Sequence, residues 1–339
     1  MTDAAAASRA AERLAAAVSD WYGSGARLVS LSGPEPHAWS YQFAVEAETA
    51  AGRVRLVVKI PRWEEAPSLE AALAAGPQES TRREYAALEA IAAAVVAGGD
   101  PGLVAVVPVA YLRDLNAVVT ERLEAVPLRS RLGWWPGREG RRAELLRRAG
   151  RVLRRYHQGA AGAAAGRLDG IALAAEVEAL GARPGCGGAP LGEALAALAR
   201  QARELDGSPA ALGDTHGDFN LANVLATDDG RVAVLDPNLV PGPLLEDAAQ
   251  LLTCLRMRRA RALTLGRIGR RGLARAEAAF LEGYGEVDAE LLRCLRAVAT
   301  ARRGAAMAER LAAWPRPLRR AGQTVLRRYV TAELSALAG

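Results

Sequence analysis

Lysine is almost absent from this 339-residue chain, which has 43 arginines among its 44 basic residues and a single lysine, Lys59. At an ordinary surface position arginine serves as well as lysine, and the chain uses arginine everywhere else. A position that keeps lysine therefore indicates a need for a compact ammonium group rather than a planar guanidinium. On this observation alone, the alternative is that Lys59 is the one lysine left by chance in an arginine-rich sequence.

Cysteine and histidine are also scarce, with three of each. The cysteines are odd in number and irregularly spaced, which excludes a disulfide framework and a four-cysteine zinc site and predicts a reducing, cytoplasmic location. The scattered histidines give no zinc-binding signature. The cysteines are Cys186, Cys254 and Cys294, and the histidines are His37, His157 and His216.

Long apolar segments are missing as well, because no stretch reaches the ~18 uninterrupted apolar residues that a membrane-spanning helix needs. The composition, 50% hydrophobic and 24% charged, is typical of a soluble globular protein. A chain of this length fits one large domain or two lobes, with a core large enough to need no disulfide or structural metal.

Acidic side chains become rare towards the C-terminus. Residues 1–249 hold 26 basic and 31 acidic side chains and residues 250–339 hold 18 and 7, so net charges of −5 and +11 give the +6 of the whole chain. A basic C-terminal third attracts phosphates, acidic substrates, nucleic acid or anionic lipid. Alternatively, these basic side chains form a solvent-exposed helix face in an arginine-rich protein and have no binding role.

The N-terminal part of the chain has the pattern of a β-rich lobe. After a predicted helix over residues 4–22 come five runs of strand length, rich in β-branched and aromatic residues. A helix over residues 79–97 is inserted after the third run, and turns are predicted at Gly33–Pro36 and Thr49–Gly52. The predicted strands are residues 27–32, 39–48, 53–61, 104–114 and 116–124.

The rest of the chain has mainly helical spacing. Apolar residues recur at that spacing from Arg141 to Tyr156, and Gly159 supplies a stop. Residues 159–190, rich in glycine and alanine, are expected to contain loops, and residues 212–240 are expected to form short strands. Further helices are predicted at residues 244–256, 273–284, 287–313 and 318–337.

These patterns predict an α+β fold with two lobes. The N-terminal lobe, residues 1–124, is built on a five-stranded antiparallel sheet with one inserted helix. The larger lobe, residues 125–339, is mostly helical and contains the most informative segment of the sequence, residues 215–238.

That segment reads THGDFNLANVLATDDGRVAVLDPN and places three oxygen-bearing side chains at defined spacing. Asn223 follows Asp218 by five residues, and a hairpin with a turn at Asp228–Gly230 leads on to Asp236. A carboxylate and an amide oxygen are hard ligands suited to Mg²⁺ that carries phosphate oxygens. Asp218 can accept a proton from a hydroxyl nucleophile.

The same residues resemble the aminoglycoside phosphotransferase family, the small-molecule branch of the protein-kinase-like fold. The H-G-D motif ending at Asp218, with Asn223 five residues on, matches the catalytic loop, and Asp236 matches the metal-binding aspartate. Lys59 ends a strand at the position of the lysine that contacts ATP phosphates, and Glu84 matches its helix partner. The resemblance implies a bilobal protein-kinase-like fold and explains the lone lysine.

The resemblance also implies a role for each residue in the transfer of a phosphate from ATP or GTP to a hydroxyl of a small molecule, with Mg²⁺ as cofactor. The nucleotide lies between the lobes, its base bonded to the backbone of Thr120, Glu121 and Leu123. Lys59, oriented by Glu84, holds phosphate oxygens. Asn223 and Asp236 bind the metal, and Asp218 orients the acceptor hydroxyl and takes its proton.

Three further residues are expected to support the catalytic loop. His216 buttresses it by packing and hydrogen bonding. Asn220 stands where protein kinases tend to carry lysine, which favours a small-molecule kinase. Asp247 either caps a helix or braces the loop. Glu79 competes with Glu84 as the partner of Lys59.

Two parts of the sequence depart from the family pattern. Residues 33–40, which should form a flexible phosphate-binding loop, contain one glycine and two prolines, so phosphate contacts there stay open. Pro237 follows the metal-binding aspartate, where an aromatic residue is commoner.

The acceptor and two rival functions also stay open. The charge of +11 over residues 250–339 favours a neutral or anionic sugar-like or nucleoside-like acceptor over a polycationic aminoglycoside, unless acidic residues cluster at the acceptor site. A kinase that has lost activity and only binds nucleotide is one rival, and an arginine-rich nucleic-acid binder is the other, although aromatic residues make up only 5%. The sequence does not indicate the oligomeric state. The acidic residues that could cluster at the acceptor site and favour a polycationic acceptor are Glu277, Glu282, Glu286 and Asp288.

Overall fold

The structure, a computed structural model, describes residues 3–62, 68–74, 76, 78–132, 138–159, 161–183, 188–260 and 270–338. The chain divides into two compact units. The first comprises Met1–Val126 and Ala226–Leu239, and the second comprises Pro127–Leu225 and Val240–Gly339. Residues 226–239, expected in the helical lobe, therefore group with the N-terminal part of the chain. Of the residues discussed above, Cys186 lies outside the described ranges.

The first unit is built on the predicted five-stranded antiparallel sheet, which is confirmed. Its strands follow the order β1-β2-β3-β5-β4. Along β3, Leu56, Val58 and Ile60 are buried on one face, and the period of two places Lys59 on the other face. The strands are β1 (Arg27–Pro36), β2 (Ser40–Thr49), β3 (Gly52–Pro61), β4 (Pro108–Leu112) and β5 (Ala117–Glu121).

The first predicted turn is displaced. Residues 33–36 do not separate two strands but continue β1, whose pairing with β2 shifts register between Ser32 and Glu35. Prolines are accepted there because β1 is an edge strand and a bulge needs fewer backbone donors. Gly33 has φ +110, and a Cβ there would overlap the carbonyl oxygen of Gln42. The chain reverses instead at residues 37–39, where the amide of His37 donates to the carbonyl of Ser40.

Three helices accompany this sheet: α1 (Asp3–Tyr22), α2 (Leu69–Ala74) and α3 (Glu79–Gly98). The helix α1 buries one apolar stripe, which includes Leu14 and Val18, in the core of the sheet. The helix α3 ends at Gly99, whose φ of 58 is the left-handed conformation that favours glycine after a helix. The predicted helices at residues 4–22 and 79–97 thus form, whereas α2 was not expected.

The second unit is mostly helical and contains a small antiparallel sheet. The strands of that sheet follow the order β11-β8-β7. The chain-order elements from β6 to α7 are β6 (Ala125–Pro127), α4 (Leu128–Arg131), α5 (Glu139–Gly159), β7 (Ala164–Arg167), α6 (Gly170–Gly181) and α7 (Ala189–Glu204). The elements that follow along the chain are β8 (Pro209–Thr215), β9 (Val224–Thr227), β10 (Val232–Val234), β11 (Val240–Pro243), α8 (Leu245–Ala260), α9 (Arg270–Tyr284), α10 (Ala289–Ala312) and α11 (Arg316–Ala338). Of these strands, β10 belongs to the first unit, and β6 and β9 each include residues of both units.

Residues 159–190, which were expected to contain loops, do so at residues 161–163 and 182–183, but they also contain β7 and α6, which were not expected. The glycines and alanines that indicated loops are compatible with both elements. Asp169 caps α6 by accepting a hydrogen bond from the amide of Ala172 at 2.8 Å, and the helix itself is rich in alanine, leucine and glutamate.

Across the described parts of the chain, we find no helix with the length and apolarity that crossing a membrane requires.

The helices α5 and α9 cross in close contact. At the crossing each helix carries a glycine where a side chain would not fit. A Cβ at Gly150 would overlap the backbone of Phe280, and a Cβ at Gly283 would overlap the backbone of Arg147. This close approach brings the end of α9 next to the end of α5, where His157 lies.

Candidate active site

Lys59 is held by two carboxylates in the first unit. Its Nζ lies 2.9 Å from Oε1 of Glu84 on α3 and 2.9 Å from Oδ1 of Asp236, which follows β10. The side chain of Lys59 is 21% exposed and that of Glu84 is 12% exposed, so the ion pair is largely shielded from water. The structure thus brings together three of the predicted site residues.

These charges decide the protonation of the lysine. Burial lowers the pKa of Lys59, but the carboxylates of Asp236 and Glu84 outweigh it, and the pKa is raised above its ordinary value. Lys59 therefore remains an ammonium group at any physiological pH. Burial raises the pKa of Glu84, and the charge of Lys59 opposes that effect. Glu79 is exposed and bonds Arg82 at 2.8 Å, so Glu84 is the partner of Lys59.

The backbone at Asp236 has an unusual conformation. Its φ of 58 lies in the left-handed region, which aspartate tolerates better than most residues. The β9–β10 hairpin leads to this position, closed by a hydrogen bond from the amide of Thr227 to the carbonyl of Arg231 at 3.0 Å. Beyond Asp236, the guanidinium of Arg83 on α3 donates to the carbonyl of Leu239 at 3.3 Å. This contact anchors the C-terminal end of the segment on α3 within the first unit.

In the second unit, the carboxylate of Asp218 accepts hydrogen bonds from two asparagines on the same loop. Nδ2 of Asn220 donates to Oδ1 at 2.7 Å, and Nδ2 of Asn223 donates to Oδ2 at 2.9 Å. The amide oxygen of Asn220 accepts from the amide of Ala222 at 2.7 Å. Because Asn223 turns its nitrogen towards Asp218, its oxygen points elsewhere and can serve as a ligand.

Asp247, fully buried on α8, holds the backbone of this loop. Oδ2 accepts from the amide of His216 at 2.7 Å, and Oδ1 accepts from the amide of Gly217 at 3.0 Å. The same Oδ2 lies 3.0 Å from Nε2 of His157 on α5. Asp247 therefore bonds the loop rather than the end of its own helix. The ring of His216 is also fully buried, and its Nδ1 accepts from the amide of Asp218 at 3.3 Å.

The predicted base-binding segment continues β5. Thr120 is buried and pairs with Val57 of β3. The amide of Glu121 donates to Val107 at 2.8 Å, and the carboxylate of Glu121 accepts from the hydroxyl of Tyr22 at 3.5 Å. Burial and the charge of Glu121 raise the pKa of Tyr22 to about 12. Leu123 lies beyond the end of β5, where its backbone is outside the sheet.

The family follows from a comparison with known proteins. A model of the phosphotransferase enzyme family (APH) matches residues 34–289. The chain belongs to the phosphotransferase enzyme family. It is a small-molecule phosphotransferase whose acceptor is a hydroxyl group. No curated protein matches it in a sequence search.

Solved structures show the same fold for this phosphotransferase. Macrolide 2'-phosphotransferase MphH from Brachybacterium faecium superimposes with a TM-score of 0.53 at 18% identity, covering 93% of this chain and 97% of that one. Choline kinase LicA from Streptococcus pneumoniae gives 0.53 at 13% identity, covering 97% and 99%. Amicoumacin kinase hAmiN, solved with AMP-PNP, Ca²⁺ and Ami, gives 0.52 at 13% identity, covering 97% and 93%. The predicted α+β, protein-kinase-like fold is confirmed.

The two predicted metal ligands of this phosphotransferase each carry an oxygen donor. Asn223 offers an amide oxygen and Asp236 a carboxylate, and hard oxygen ligands are what Mg²⁺ prefers. Within the residues that the structure describes, no group of three or more histidine, cysteine or acidic side chains is arranged to hold a metal.

The sequence analysis missed two residues of the phosphotransferase that connect to Asp247, the residue that holds the loop backbone. His157 was assigned no role from the sequence, yet it bonds Asp247. Tyr284 was not singled out, although its hydroxyl lies 2.9 Å from Nδ1 of His157. These residues are 127 positions apart, and only the crossing of α5 and α9 brings them together. No motif or spacing in the sequence indicates such a pair.

Proposed function

We propose that the enzyme transfers the γ-phosphate of ATP to a hydroxyl of a small metabolite. The observation that supports ATP use most directly is Lys59, an ammonium group held at 2.9 Å by both Glu84 and Asp236. An ammonium fixed in this way acts as a point charge for phosphate oxygens. All the polar groups that such a transfer needs are present, which argues against a kinase that only binds nucleotide.

In this proposal the residues of the first unit bind the nucleotide. Lys59 holds phosphate oxygens, and Glu84 orients its ammonium group. The backbone around Thr120, Glu121 and Leu123 binds the base. Because the amide of Glu121 already donates within the sheet, Leu123 is the residue of the three whose amide we expect to meet the base. Running the acceptor panel below with GTP in place of ATP decides which nucleotide the enzyme prefers.

Asn223 and Asp236 are the proposed ligands of a magnesium ion. When bound, the ion neutralises phosphate charge and fixes the orientation of the phosphates. Hydrogen bonds orient both ligands: Nδ2 of Asn223 donates to the carboxylate of Asp218, and Nζ of Lys59 donates to Oδ1 of Asp236.

Asp218 is the proposed base and orienting group. Its two oxygens are fixed by Asn220 and Asn223, so the carboxylate is held in one direction before the acceptor arrives. Such positioning supplies much of the catalysis in phosphoryl transfer, and proton removal from the hydroxyl comes late in a largely dissociative reaction.

We propose a neutral or anionic acceptor, such as a sugar-like or nucleoside-like metabolite. Three of the four acidic residues that would favour a polycation are engaged in structural contacts. Glu277 is buried and bonds Arg256 at 2.8 Å and Arg296 at 2.9 Å. Glu282 bonds Arg147 at 2.8 Å, and Asp288 caps α10. Glu286 is exposed, and the structure assigns no binding role to it.

Only some of the basic side chains in residues 250–339 are available to interact with an acceptor. Arg256 is engaged by Glu277 and by Glu333 at 3.0 Å, and Arg258 donates to the carbonyl of Arg129 at 2.8 Å. Arg271 and Arg275 are exposed, while Arg261 and Arg267 lie outside the described residues. Arg256 and Arg258 therefore have protein partners, whereas the exposed Arg271 and Arg275 fit the alternative of a solvated helix face. We also propose a cytoplasmic location, because the three cysteines are odd in number and irregularly spaced, which suits a reducing compartment.

A panel of hydroxylated acceptors tests the function. We expect ATP consumption to rise with a neutral or anionic sugar or nucleoside and to stay near background with kanamycin-type aminoglycosides. Efficient turnover of an aminoglycoside, with kcat/KM at or above ~10⁴ M⁻¹s⁻¹, would show that the acceptor class is wrong. ATP binding with no turnover on any acceptor would support the inactive rival, and a salt-sensitive shift of random DNA would support the nucleic-acid binder.

Metal dependence is a separate prediction. We expect activity to require Mg²⁺ or Mn²⁺ and to disappear with a chelator, because Asn223 and Asp236 supply hard oxygen ligands. Elemental analysis of the purified enzyme should find no stoichiometric zinc. Zinc at one equivalent per chain would contradict the assignment of these two ligands.

A further inference from the structure

Tyr284, the last residue of α9, makes a contact that none of the roles above requires. Its hydroxyl lies 2.9 Å from Nδ1 of His157. On the other side of that ring, Nε2 lies 3.0 Å from Oδ2 of Asp247. Asp247 in turn accepts from the amides of His216 and Gly217. A continuous series of hydrogen-bonding groups therefore runs from Tyr284 to the loop that carries Asp218.

The direction of these hydrogen bonds follows from the groups involved. Oδ2 of Asp247 accepts a backbone N–H, so a ring proton on Nε2 of His157 makes a second favourable contact with it. A neutral ring with that proton presents a lone pair at Nδ1. Burial and the charge of Asp247 raise the pKa of Tyr284 to about 12, so its hydroxyl keeps the proton that it donates to Nδ1. The phenol thus favours one tautomer of His157.

The ring of Tyr284 is fixed by packing that does not involve its hydroxyl. It stacks on Phe280 at 6.3 Å with an interplanar angle of 12° and meets the ring of His157 edge-on at 5.6 Å. The neighbouring Gly283 and the facing Gly150 allow α9 to approach α5 closely enough for this contact. Replacing Tyr284 with phenylalanine therefore retains the aromatic packing and removes only the hydrogen bond.

We propose that Tyr284 is a positioning residue. By donating a hydrogen bond to Nδ1 of His157 it keeps the ring proton on Nε2, where that proton bonds Asp247. Through Asp247, Tyr284 holds the backbone that carries Asp218. Tyr284 touches no reacting atom. The kinetic part of this inference rests on the proposed function, whereas the part that concerns His157 and the loop backbone does not.

The kinetic test compares Tyr284→Phe with Tyr156→Phe. Tyr156 is also buried in this aromatic cluster, but its hydroxyl donates to the carbonyl of Asp214 at 2.8 Å rather than to His157. For Tyr284→Phe we expect kcat to fall about tenfold with both KM values nearly unchanged, since small misplacements far from the reacting atoms cost up to about 10²-fold. Combining Tyr284→Phe with His157→Gln should cause little further loss, because both act through one series of contacts.

A second measurement does not need turnover. The chain has only three histidines, so ¹⁵N spectra of histidine-labelled enzyme are simple, and His157→Gln assigns the relevant signals. We expect a neutral ring protonated at Nε2, an Nδ1 shift in Tyr284→Phe but not in Tyr156→Phe, and roughly fivefold faster hydrogen exchange at the amides of His216 and Gly217, equivalent to one lost neutral hydrogen bond.

Two results would overturn the inference. One is a doubly protonated His157 in the native enzyme, which leaves no lone pair for Tyr284 to donate to. The other is a Tyr284→Phe enzyme with a lower Tm but unchanged kcat and unchanged exchange at His216 and Gly217, which would make the hydroxyl merely structural. If the native enzyme turns over no acceptor, the proposed function fails, while the spectra and exchange rates still decide the inference.

Discussion

Replacing Asp218 with asparagine is expected to lower kcat by about 10²–10⁴-fold, the usual contribution of a general base. The substitution removes the group that accepts the proton of the acceptor hydroxyl. It also places an NH₂ group where Oδ1 or Oδ2 now accepts from Asn220 or Asn223. Steady-state kinetics on the acceptor found in the panel, with KM for ATP determined in parallel, measures the effect.

The matched control is Asp228→Asn, which removes the same charge from an exposed position in the turn between β9 and β10. We expect that variant to keep nearly full activity. If the loss in Asp218→Asn appears mainly as a higher KM for ATP, the disturbance acts through Asn223 and the nucleotide. Turnover of Asp218→Asn close to that of the native enzyme would refute the assignment of the base.

Replacing Lys59 with arginine is expected to reduce kcat/KM by about 10²-fold, although arginine occupies every other basic position of the chain. Glu84 and Asp236 both lie 2.9 Å from a single nitrogen atom. A longer, planar guanidinium has no single atom that meets both carboxylates and a phosphate oxygen in the same place. Kinetics and nucleotide affinity, with Tm to monitor folding, give the measurement.

Arg53→Lys is the control for that substitution, because it makes the reverse exchange on the same strand at an exposed position. It should leave both activity and Tm essentially unchanged. A Lys59→Arg enzyme that is fully active and equally stable would mean that the lone lysine is a chance survivor, and the assignment of the phosphate-binding site would lose its main support.

Much of the fold was predictable because its strongest elements have clear periodicity. The strand that carries Lys59 alternates buried and partly buried residues, and helices such as α3 and α5 carry apolar residues at helical spacing. The failures have physical reasons. In residues 159–190, alanine and glycine are compatible with loop, strand and helix, so composition did not distinguish them. Along β1, prolines indicated a turn, but an edge strand with a bulge accepts them.

The candidate site was predictable to the extent that it depends on spacing along the chain. Asp218 and Asn223 are five residues apart, and local loop geometry brings their side chains into contact. Lys59 and Asp236 are 177 residues apart, and only the family resemblance linked them before the structure was known. The pair formed by His157 and Tyr284 depends on a helix crossing that no local pattern encodes.

Because residues 226–239 group with the first unit, that unit is not one continuous segment of the chain, which limits how it can be expressed alone or exchanged with a relative. A contiguous fragment that ends at Val126 lacks Asp236, so its buried lysine keeps Glu84 as the one carboxylate of the pair. Neither recombination with a relative nor separate expression can therefore transfer the first unit as one continuous segment. A working chimera would need two exchanges, one for the N-terminal 126 residues and one for the short insert that carries Asp236.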